Sequence, residues 1–312
     1  MTEVKRMVSI VLPACNEEHN IVPMAAALHK TLAGQDVDYQ IIFVDDGSRD
    51  LTLEKLKELH AADSRLEYIA LARNLGHQNA LKAGLDHAAG DCVITMDADF
   101  QHPPELLPQF LDKWRQGYDV VTTIRCDDRR TPLLKRLTSR LFYRVLNRLS
   151  DINLHQGAAD FRLLDRSVVE VFRGLPERQL FFRGMTAWVG FRQTSLPFTA
   201  AERRSGRSKY SPRRMIRFAL TGITSFSIKP LRLSVALGSI IALLSFAYGI
   251  YAVWTKLFTD RAIPGWTSVL ASVLFIGGMQ LIVLGIIGEY IGKLLLEVKH
   301  RPHYLVREKS IT

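Results

Sequence analysis

The sequence predicts an α/β domain with a mainly parallel sheet, followed by an apolar C-terminal part embedded in a membrane. Three observations lead to this prediction. Strand and helix patterns alternate over residues 1–125. Three of the predicted strands are followed by acidic or amide side chains. Residues 233–255 and 262–288 carry no charge, and each stretch exceeds the roughly 20 residues that cross a bilayer.

The elements of the first part follow in order. Compact apolar runs predict strands at residues 8–12, 40–44, 66–71, 92–96 and 120–124. Apolar residues at three- and four-residue spacing predict helices at residues 17–32, 51–62, 78–88 and 105–116. Asn16 is a candidate N-cap for the first helix, and Pro103 and Pro104 mark the start of the fourth. Such alternation predicts right-handed βαβ units and a sheet covered on both faces.

The pattern changes beyond residue 125. Residues 132–149 alternate basic and apolar positions as an amphipathic helix, whereas residues 152–200 show no clear periodicity. Residues 213–227 precede an apolar stretch and predict a helix in the membrane interface, with an ordinary surface helix as the alternative. The predicted boundaries are an α/β domain over 1–210, a juxtamembrane amphipathic helix over 211–230, a two-helix transmembrane hairpin over 231–292 and a cytoplasmic tail over 293–312.

Charge is distributed unevenly along the chain. Residues 1–200 contain 25 Lys and Arg against 26 Asp and Glu, whereas residues 201–232, here called the basic collar, contain nine against Glu202 alone. Basic residues also follow the second apolar stretch, so the positive-inside rule places both outer flanks in the cytoplasm. The net charge of +10 therefore indicates contact with anionic lipid rather than with nucleic acid, for which no module is present.

The N-terminus and the cysteines fit a cytoplasmic α/β domain. The first apolar run ends at Pro13, which is too short for a signal peptide, so we expect it to be a strand. Cys15, Cys92 and Cys126 are odd in number and lack metal-binding spacing, which predicts free thiols in a reducing compartment.

Asp97 and Asp99 follow a predicted strand, where open α/β sheets bind ligands. In extended chain both carboxylates fall on the same side. They repel each other unless a cation lies between them, and a hard divalent cation could bridge them to phosphate oxygens. A solvated turn with no ligand is the alternative.

Two further strand ends are polar. Asp45 and Asp46 precede Gly47, which permits a tight turn, and Asn16 and Glu17 follow the first strand. Together the three ends favour a nucleotide crevice over unrelated turns. The dinucleotide fingerprint GxGxxG and the P-loop are absent, which disfavours hydride transfer and NTPase chemistry.

Seven segments of the chain form a recognisable set: Pro13 with Asn16-Glu17, residues 44–48, residues 73–84, residues 96–103, residues 157–162, residues 203–210 and residues 288–292. Together they resemble the inverting GT-A glycosyltransferases of family 2, in their polyprenyl-phosphate branch. The bactoprenol glucosyltransferase group is the most similar, and the dolichyl-phosphate mannose synthases are related. Two small departures are Ala14-Cys15, where an aromatic residue often precedes the Asn, and His77, in a variable position.

The resemblance implies a GT-A fold and a role for each matching position. The implied catalytic residues are Asp99 and Asp160, with Asp160 beside the acceptor. The implied nucleotide-sugar site comprises Pro13, Asn16, Glu17, Asp45, Asp46, Lys82, Asp97 and Ala98. Mg²⁺ or Mn²⁺ would be held by Asp97, Asp99 and Gln101. The lipid phosphate would be bound by Arg125, Lys135, Arg203 and Lys209.

The implied reaction is inverting transfer of glucose from UDP-glucose to undecaprenyl phosphate by a multi-pass enzyme of the bacterial inner membrane. Glycines in the second apolar stretch would permit close helix contact and homo-oligomers. GDP-mannose and UDP-aminoarabinose are alternative donors, and a non-catalytic sugar-nucleotide sensor is an alternative of another class. The usual role of Asp160 would be general base, but a phosphate monoester has a second pKa of about 6 and ionises without help. We therefore expect Asp160 to orient the acceptor, contact the metal or exclude water rather than act as the base.

Overall fold

The alternating patterns of residues 1–125 form strands and helices close to their predicted positions. The computed structural model describes residues 5–125, 144, 147–150, 157–199, 222–258 and 265–311. The strands are β1 (Met7–Ala14), β2 (Asp38–Asp45), β3 (Leu66–Leu71), β4 (Cys92–Thr95) and β5 (Val120–Arg125). The helices are α1 (Ile21–Leu32), α2 (Thr52–Ala62), α3 (His77–His87) and α4 (Leu107–Arg115), and a 3₁₀ turn (Pro104–Leu106) precedes α4.

The start of α1 differs from the prediction. Asn16 does not cap this helix, which begins four residues after Glu17 at Ile21 and has Asn20 at the N-cap position. Asn16 has a φ of 58°, and its side-chain oxygen accepts a hydrogen bond from the Arg49 amide, 2.9 Å away. The side chain therefore joins two strand ends instead of closing a helix.

Residues 157–199, which showed no clear periodicity, contain four regular elements. They are β6 (Ala158–Asp165), α5 (Arg166–Gly174), α6 (Phe182–Trp188) and β7 (Gln193–Phe198). Asp165 ends β6 and caps α5, because its carboxylate accepts a hydrogen bond from the Ser167 amide at 2.9 Å.

One eight-stranded sheet organises the domain, in the order β7-β5-β6-β4-β1-β2-β3-β8. Six strands run in the same direction, and β6 and β8 run against their neighbours. The predicted α/β class with a mainly parallel sheet is confirmed. The beginning of antiparallel β6 lies at the same edge as the carboxyl ends of β1, β2 and β4, which brings residue 160 to the predicted ligand-binding edge.

Helices bury apolar side chains against both faces of this sheet. Ile10 and Leu12 of β1 belong to one core cluster with α1 and α4, whereas Val11 belongs to a second cluster with α3 and α5. All three side chains are fully buried. Burying each such side chain stabilises the folded state by about 1.5–3 kcal/mol. The central strand is therefore firmly anchored, and so is the loop that begins at its end.

Two long helices follow, α7 (Lys229–Phe258) and α8 (Trp266–Val298). Among the described residues, one stretch, Lys229–Tyr251, is long and apolar enough to cross a membrane, with a mean hydropathy of 2.0 and 6% of it buried. That finding supports the first predicted span and leaves the second unconfirmed. Of the predicted juxtamembrane helix, residues 222–226 are helical and residues 211–221 lie outside the described part of the chain.

The C-terminal residues do not form a separate tail. Residues 293–298 complete α8, and β8 (Val306–Lys309) joins the sheet beside β3. No sequence pattern predicts this strand, because its exposed edge position requires no apolar alternation. Within the described residues neither Cys15 nor Cys92 forms a disulfide, as predicted, and Cys126 lies outside them.

Candidate active site

The ends of β1 and β2 form one wall of the ligand-binding edge. Asp45 and Asp46 are almost fully buried, and burial raises the pKa of both carboxyl groups. The Asp46 carboxylate accepts hydrogen bonds from the amides of Leu75 and Gly76, at 2.7 and 2.9 Å. Asp46 therefore shapes the loop at residues 72–76, here called the 72–76 loop, and Asp45 lies beside it.

Gly47 lets this loop approach the end of β2. Its φ is +66°, and a Cβ atom would lie 2.5 Å from the Asn74 amide nitrogen and 2.6 Å from the Arg73 carbonyl carbon. Both neighbours are backbone atoms, so the loop would have to move to accommodate a side chain. Gly47 is thus required for the shape of this wall.

We expect Gly47→Ala to displace the 72–76 loop and to weaken nucleotide binding by about tenfold or more, because a clash and a strained φ act together. Titration of the purified enzyme with UDP would measure the effect. Gly34→Ala is a matched control, since no atom beyond its immediate chain neighbours lies within 4 Å of its added Cβ. Unchanged UDP affinity in Gly47→Ala would show that the 72–76 loop does not contribute to the nucleotide site that the resemblance implies.

The first strand end supplies mostly structural contacts. Pro13 is buried within β1, while Asn16 is exposed and its amide donates to Ser48 Oγ at 2.9 Å. The Glu17 carboxylate accepts a hydrogen bond from the Asn20 side chain at 2.6 Å. Of these three residues, Asn16 is the most exposed.

A turn after β4 carries the acidic pair. Asp97 Oδ1 lies 2.7 Å from His77 Nε2, and the Asp97 amide donates to His102 Nδ1 at 2.9 Å. Burial raises the pKa of Asp97, but the charge of His102 and the hydrogen bond from His77 outweigh it and hold this pKa at about 2. Asp97 is therefore ionised throughout the physiological range.

The rest of the turn places Asp99 one residue beyond buried Ala98. Asp99 Oδ1 accepts a hydrogen bond from the Gln101 amide at 3.1 Å, and Phe100 between them has a φ of 63°. A non-glycine residue in this region stores about 1–3 kcal/mol of strain, which is typical of ligand-binding turns. The turn thus presents two carboxylates and an amide side chain within five residues.

This donor set fits a divalent cation. Carboxylate and amide oxygens are hard ligands, and Mg²⁺ is usually held by one or two carboxylates together with substrate phosphates. Among the described residues no group of three or more His, Cys, Asp or Glu side chains could enclose a metal. The residues therefore suit a cation that a diphosphate completes, and one carboxylate oxygen of Asp97 is already in contact with His77.

Asp160 lies between two arginines at the start of β6. Arg183 Nη2 of α6 lies 2.8 Å from Asp160 Oδ2, and Arg162 pairs with Oδ1. Arg162 is buried and also donates to Thr186 Oγ1 at 2.7 Å. Burial raises the pKa of Asp160, but the charges of Arg183 and Arg162 outweigh it and hold the pKa well below the usual range. We call Asp160, Arg162 and Arg183 the acid–arginine clasp.

Not every predicted site residue lies at this edge. Lys82 is buried in α3, where its amine contacts Asp86 Oδ1 at 2.5 Å and the Arg173 carbonyl at 3.2 Å. A buried ammonium needs such partners, and here they lie between α3 and α5 rather than in the crevice. Arg125 ends β5 and is exposed. Lys135, Arg203 and Lys209 lie outside the described residues.

Three side chains of the site, His77, Arg162 and Arg183, had no role in the sequence-based assignment. Arg183 is 23 residues from Asp160, and His77 is 20 residues from Asp97. No local pattern predicts such contacts. The one available signal is the Asp160-Phe161-Arg162 spacing in a strand, which places the charged pair on the same face.

Comparisons with known proteins identify the family of this chain. The model of Glycosyl transferase family 2 matches residues 9–172, and that of the GtrB C-terminal hairpin matches residues 229–294. An uncharacterized glycosyltransferase of Synechocystis is 43% identical, over 96% of this chain and 94% of its own length. The bactoprenol glucosyl transferase of Shigella phage SfV is 39% identical, over 97% of this chain and 99% of its own length.

A prophage bactoprenol glucosyl transferase homolog of Escherichia coli is 37% identical, over 96% of this chain and 98% of its own length. A solved structure of glucosyl-3-phosphoglycerate synthase from Mycobacterium tuberculosis aligns with 70% of this chain and 79% of its own, at 22% identity and a TM-score of 0.45. That likeness is too distant to bear on function. The matches along the whole chain show that it belongs to glycosyl transferase family 2, carries the GtrB C-terminal hairpin and is a glycosyltransferase of the bactoprenol glucosyl transferase group.

Proposed function

We propose that this enzyme transfers glucose from UDP-glucose to undecaprenyl phosphate at the cytoplasmic face of the bacterial inner membrane, with inversion at the anomeric carbon. Bactoprenol glucosyl transferases align with at least 96% of this chain, and their name indicates glucose as the sugar and bactoprenol as the lipid. The observation that carries the proposal is the meeting of the acidic turn and the acid–arginine clasp at a single sheet edge. Two phosphate-bearing substrates need both acidic metal ligands and cations there.

The nucleotide would occupy the crevice between the ends of β1, β2 and β4. Asp45 and the 72–76 loop would contact the uridine part, and Asn16 is exposed at the rim. Asp99 would hold Mg²⁺ or Mn²⁺ with Asp97 and Gln101, and this cation would neutralise charge on the diphosphate as UDP departs. The 72–76 loop owes its shape to Asp46, so Asp46 would act on the nucleotide through that loop.

The acid–arginine clasp would position the acceptor. An acceptor phosphate is largely ionised at neutral pH, since its second pKa is about 6. Asp160 is bonded to Arg183 and Arg162, and its lowered pKa makes it a weak base. We infer that Asp160 fixes the orientation of the Arg183 guanidinium, which would stabilise the phosphate oxygens during in-line attack. Arg125, Lys135, Arg203 and Lys209 would supply further cations for the lipid phosphate.

Two membrane spans would keep this site at the membrane surface. The proposal is that α7 and α8 form a transmembrane hairpin, with the juxtamembrane helix in the interface and both flanks in the cytoplasm. The exposed apolar side chains of both helices support it, among them Leu243 and Phe246 of α7 and Leu281 and Leu284 of α8. Small residues along α8 are compatible with a homo-oligomer.

Transfer of radiolabelled sugar to undecaprenyl phosphate by the purified full-length enzyme tests the proposal. UDP-glucose, GDP-mannose and UDP-aminoarabinose would be compared, with the β anomer expected as the product of inversion from an α-linked donor. We expect UDP-glucose to give the highest kcat/KM. A preference for another donor would replace glucose in the proposal. No turnover with any donor, combined with tight UDP binding, would favour the sugar-nucleotide sensor instead.

A further inference from the structure

The residues after α8 connect the membrane helix to the nucleotide side of the sheet. We call residues 299–311 the C-terminal strap. They leave the end of α8, cross the catalytic domain and form β8 on the outer edge of β3. Seven residues separate α8 from β8, and a fully extended segment of that length spans at most about 25 Å. The cytoplasmic end of α8 is therefore held near the edge strand next to the crevice.

The strap is attached to the strand that leads into the 72–76 loop. In β8, Glu308 pairs with Ala70 and Val306 with Leu71, and the Ala72 amide donates to the Leu305 carbonyl at 2.8 Å. The last of these bonds fixes the first residue of the loop. Without the strap, the 72–76 loop would keep the hydrogen bonds of Leu75 and Gly76 to Asp46 but would lose the bond that holds Ala72.

A second set of contacts reaches the helix that follows the same loop. The Tyr304 hydroxyl donates to Asp86 Oδ2 at 3.0 Å, and Asp86 Oδ1 contacts the buried amine of Lys82 at 2.5 Å. Burial, together with the charge of Asp86, raises the pKa of Tyr304, so the hydroxyl keeps its proton. Lys82 and Asp86 thus have a role in holding α3 to the strap.

Outer contacts fasten the strap at both ends. Glu308 pairs with Lys57 of α2 at 2.7 Å, and the Ser310 amide donates to the Tyr68 carbonyl at 3.0 Å. At the membrane end, the Arg178 amide donates to both carboxylate oxygens of Glu297 in α8, at 2.9 and 2.8 Å. The Arg178 guanidinium donates to the Arg301 carbonyl at 2.7 Å and also to the Pro302 carbonyl.

We propose that the C-terminal strap is a positioning element of the nucleotide site. It holds the 72–76 loop in the conformation in which Leu75 and Gly76 bond to Asp46, and it ties this loop to the cytoplasmic end of α8. The inference rests on the proposed function in assigning the loop to the donor. If the proposal holds, the conformation of the donor site depends on contacts made by residues 304–310, which lie more than 200 positions away in sequence.

Amide hydrogen exchange of the full-length enzyme tests this coupling without any substrate. The triple variant Tyr304→Phe, Glu308→Gln, Ser310→Ala removes the hydroxyl bond to Asp86, the ion pair with Lys57 and the hydroxyl that accepts from the Tyr68 amide. Exchange in the peptide covering residues 72–76 is expected to rise about three- to tenfold. Peptides from β1 and β4 should exchange at the wild-type rate.

The same variant should raise the KM for the sugar donor about three- to tenfold and change kcat less than about twofold, because the chemical groups stay in place. Tyr118→Phe is the matched control, since Tyr118 lies on the opposite side of the domain against Arg192. Arg178→Gln, which cuts the ties to the carbonyls of residues 301 and 302, should also raise exchange in the loop.

The proposal would be overturned if the 72–76 loop of the triple variant exchanged at the wild-type rate. It would also be overturned if β1 and β4 exchanged faster, because that result would show general destabilisation of the domain. Wild-type loop exchange in Arg178→Gln would overturn the tie to α8. If the wild-type enzyme transferred sugar from none of the donors, the proposed function would be disproved. The hydrogen-exchange comparison would still decide whether the strap orders the 72–76 loop, because it needs no substrate.

Discussion

Asp160→Asn is expected to lower the rate of glucosyl transfer by about 100-fold or more, at every pH from about 6 to about 9. The substitution removes the charge that fixes Arg183 and Arg162, so the guanidinium groups lose their orientation. The loss should be independent of pH, because the pKa of Asp160 already lies well below this range. Rates measured across the pH range for both enzymes would show two parallel profiles.

Recovery of full activity at high pH in Asp160→Asn would contradict a positioning role, since it would show that deprotonation of the acceptor limits the rate. Asp112→Asn is the matched control, because Asp112 is exposed on α4 and pairs with Arg115 at 3.4 Å. Thermal unfolding must be measured in parallel. Removing one partner of a buried ion pair can cost about 3–5 kcal/mol, so the variant has to be assayed well below its Tm.

Asp99→Asn is expected to lower transfer by about 1000-fold in the presence of Mg²⁺ or Mn²⁺, because stabilisation of the departing diphosphate contributes several kcal/mol. An amide keeps the shape of the turn and its hydrogen bond to the Gln101 amide, but it lacks the charge that holds a divalent cation. The variant should also lose the increase in UDP affinity that the cation produces, which calorimetric titration with and without metal would measure.

Retention of more than about a tenth of the wild-type rate in Asp99→Asn would contradict the assignment of this carboxylate to the cation. Asp112→Asn again serves as control. Asp97→Asn would be measured beside it, because Asp97 differs from Asp99 in its contact with His77. We expect the Asp97 variant to release His77 and to disturb the turn as well as the cation.

The strands and their ends could be predicted because they depend on local patterns. Apolar runs with acidic residues directly after them predicted β2 and β4, and the parallel arrangement then brought Asp45 and Asp97 to the same edge. Positions that serve a second strand or a distant helix could not be found in this way. Lys82 illustrates the limit, since its partners are Asp86, one turn away, and the Arg173 carbonyl of another helix.

The acid–arginine clasp and the C-terminal strap depend on antiparallel insertions into a parallel sheet. β6 enters between β4 and β5, and β8 adds to the far edge beside β3. Neither event leaves a periodic signal, because the first lies within a region of mixed pattern and the second is a four-residue edge strand. Loop closure over such distances costs little additional entropy, so the chain can use remote residues at the site.

The sequence by itself determined the α/β class, the carboxyl-edge location of the acidic residues, the uncharged stretches and the family. These follow from the spacing of apolar residues and from charges adjacent in the chain. The tertiary structure alone decided that Asp160 pairs with Arg183 as well as Arg162, that Asp97 is hydrogen-bonded to His77, and that the buried Lys82 amine contacts Asp86 and the Arg173 carbonyl. The physical reason is that the pKa and the role of a buried charge depend on partners within a few ångströms, and those partners are set by the packing of distant segments.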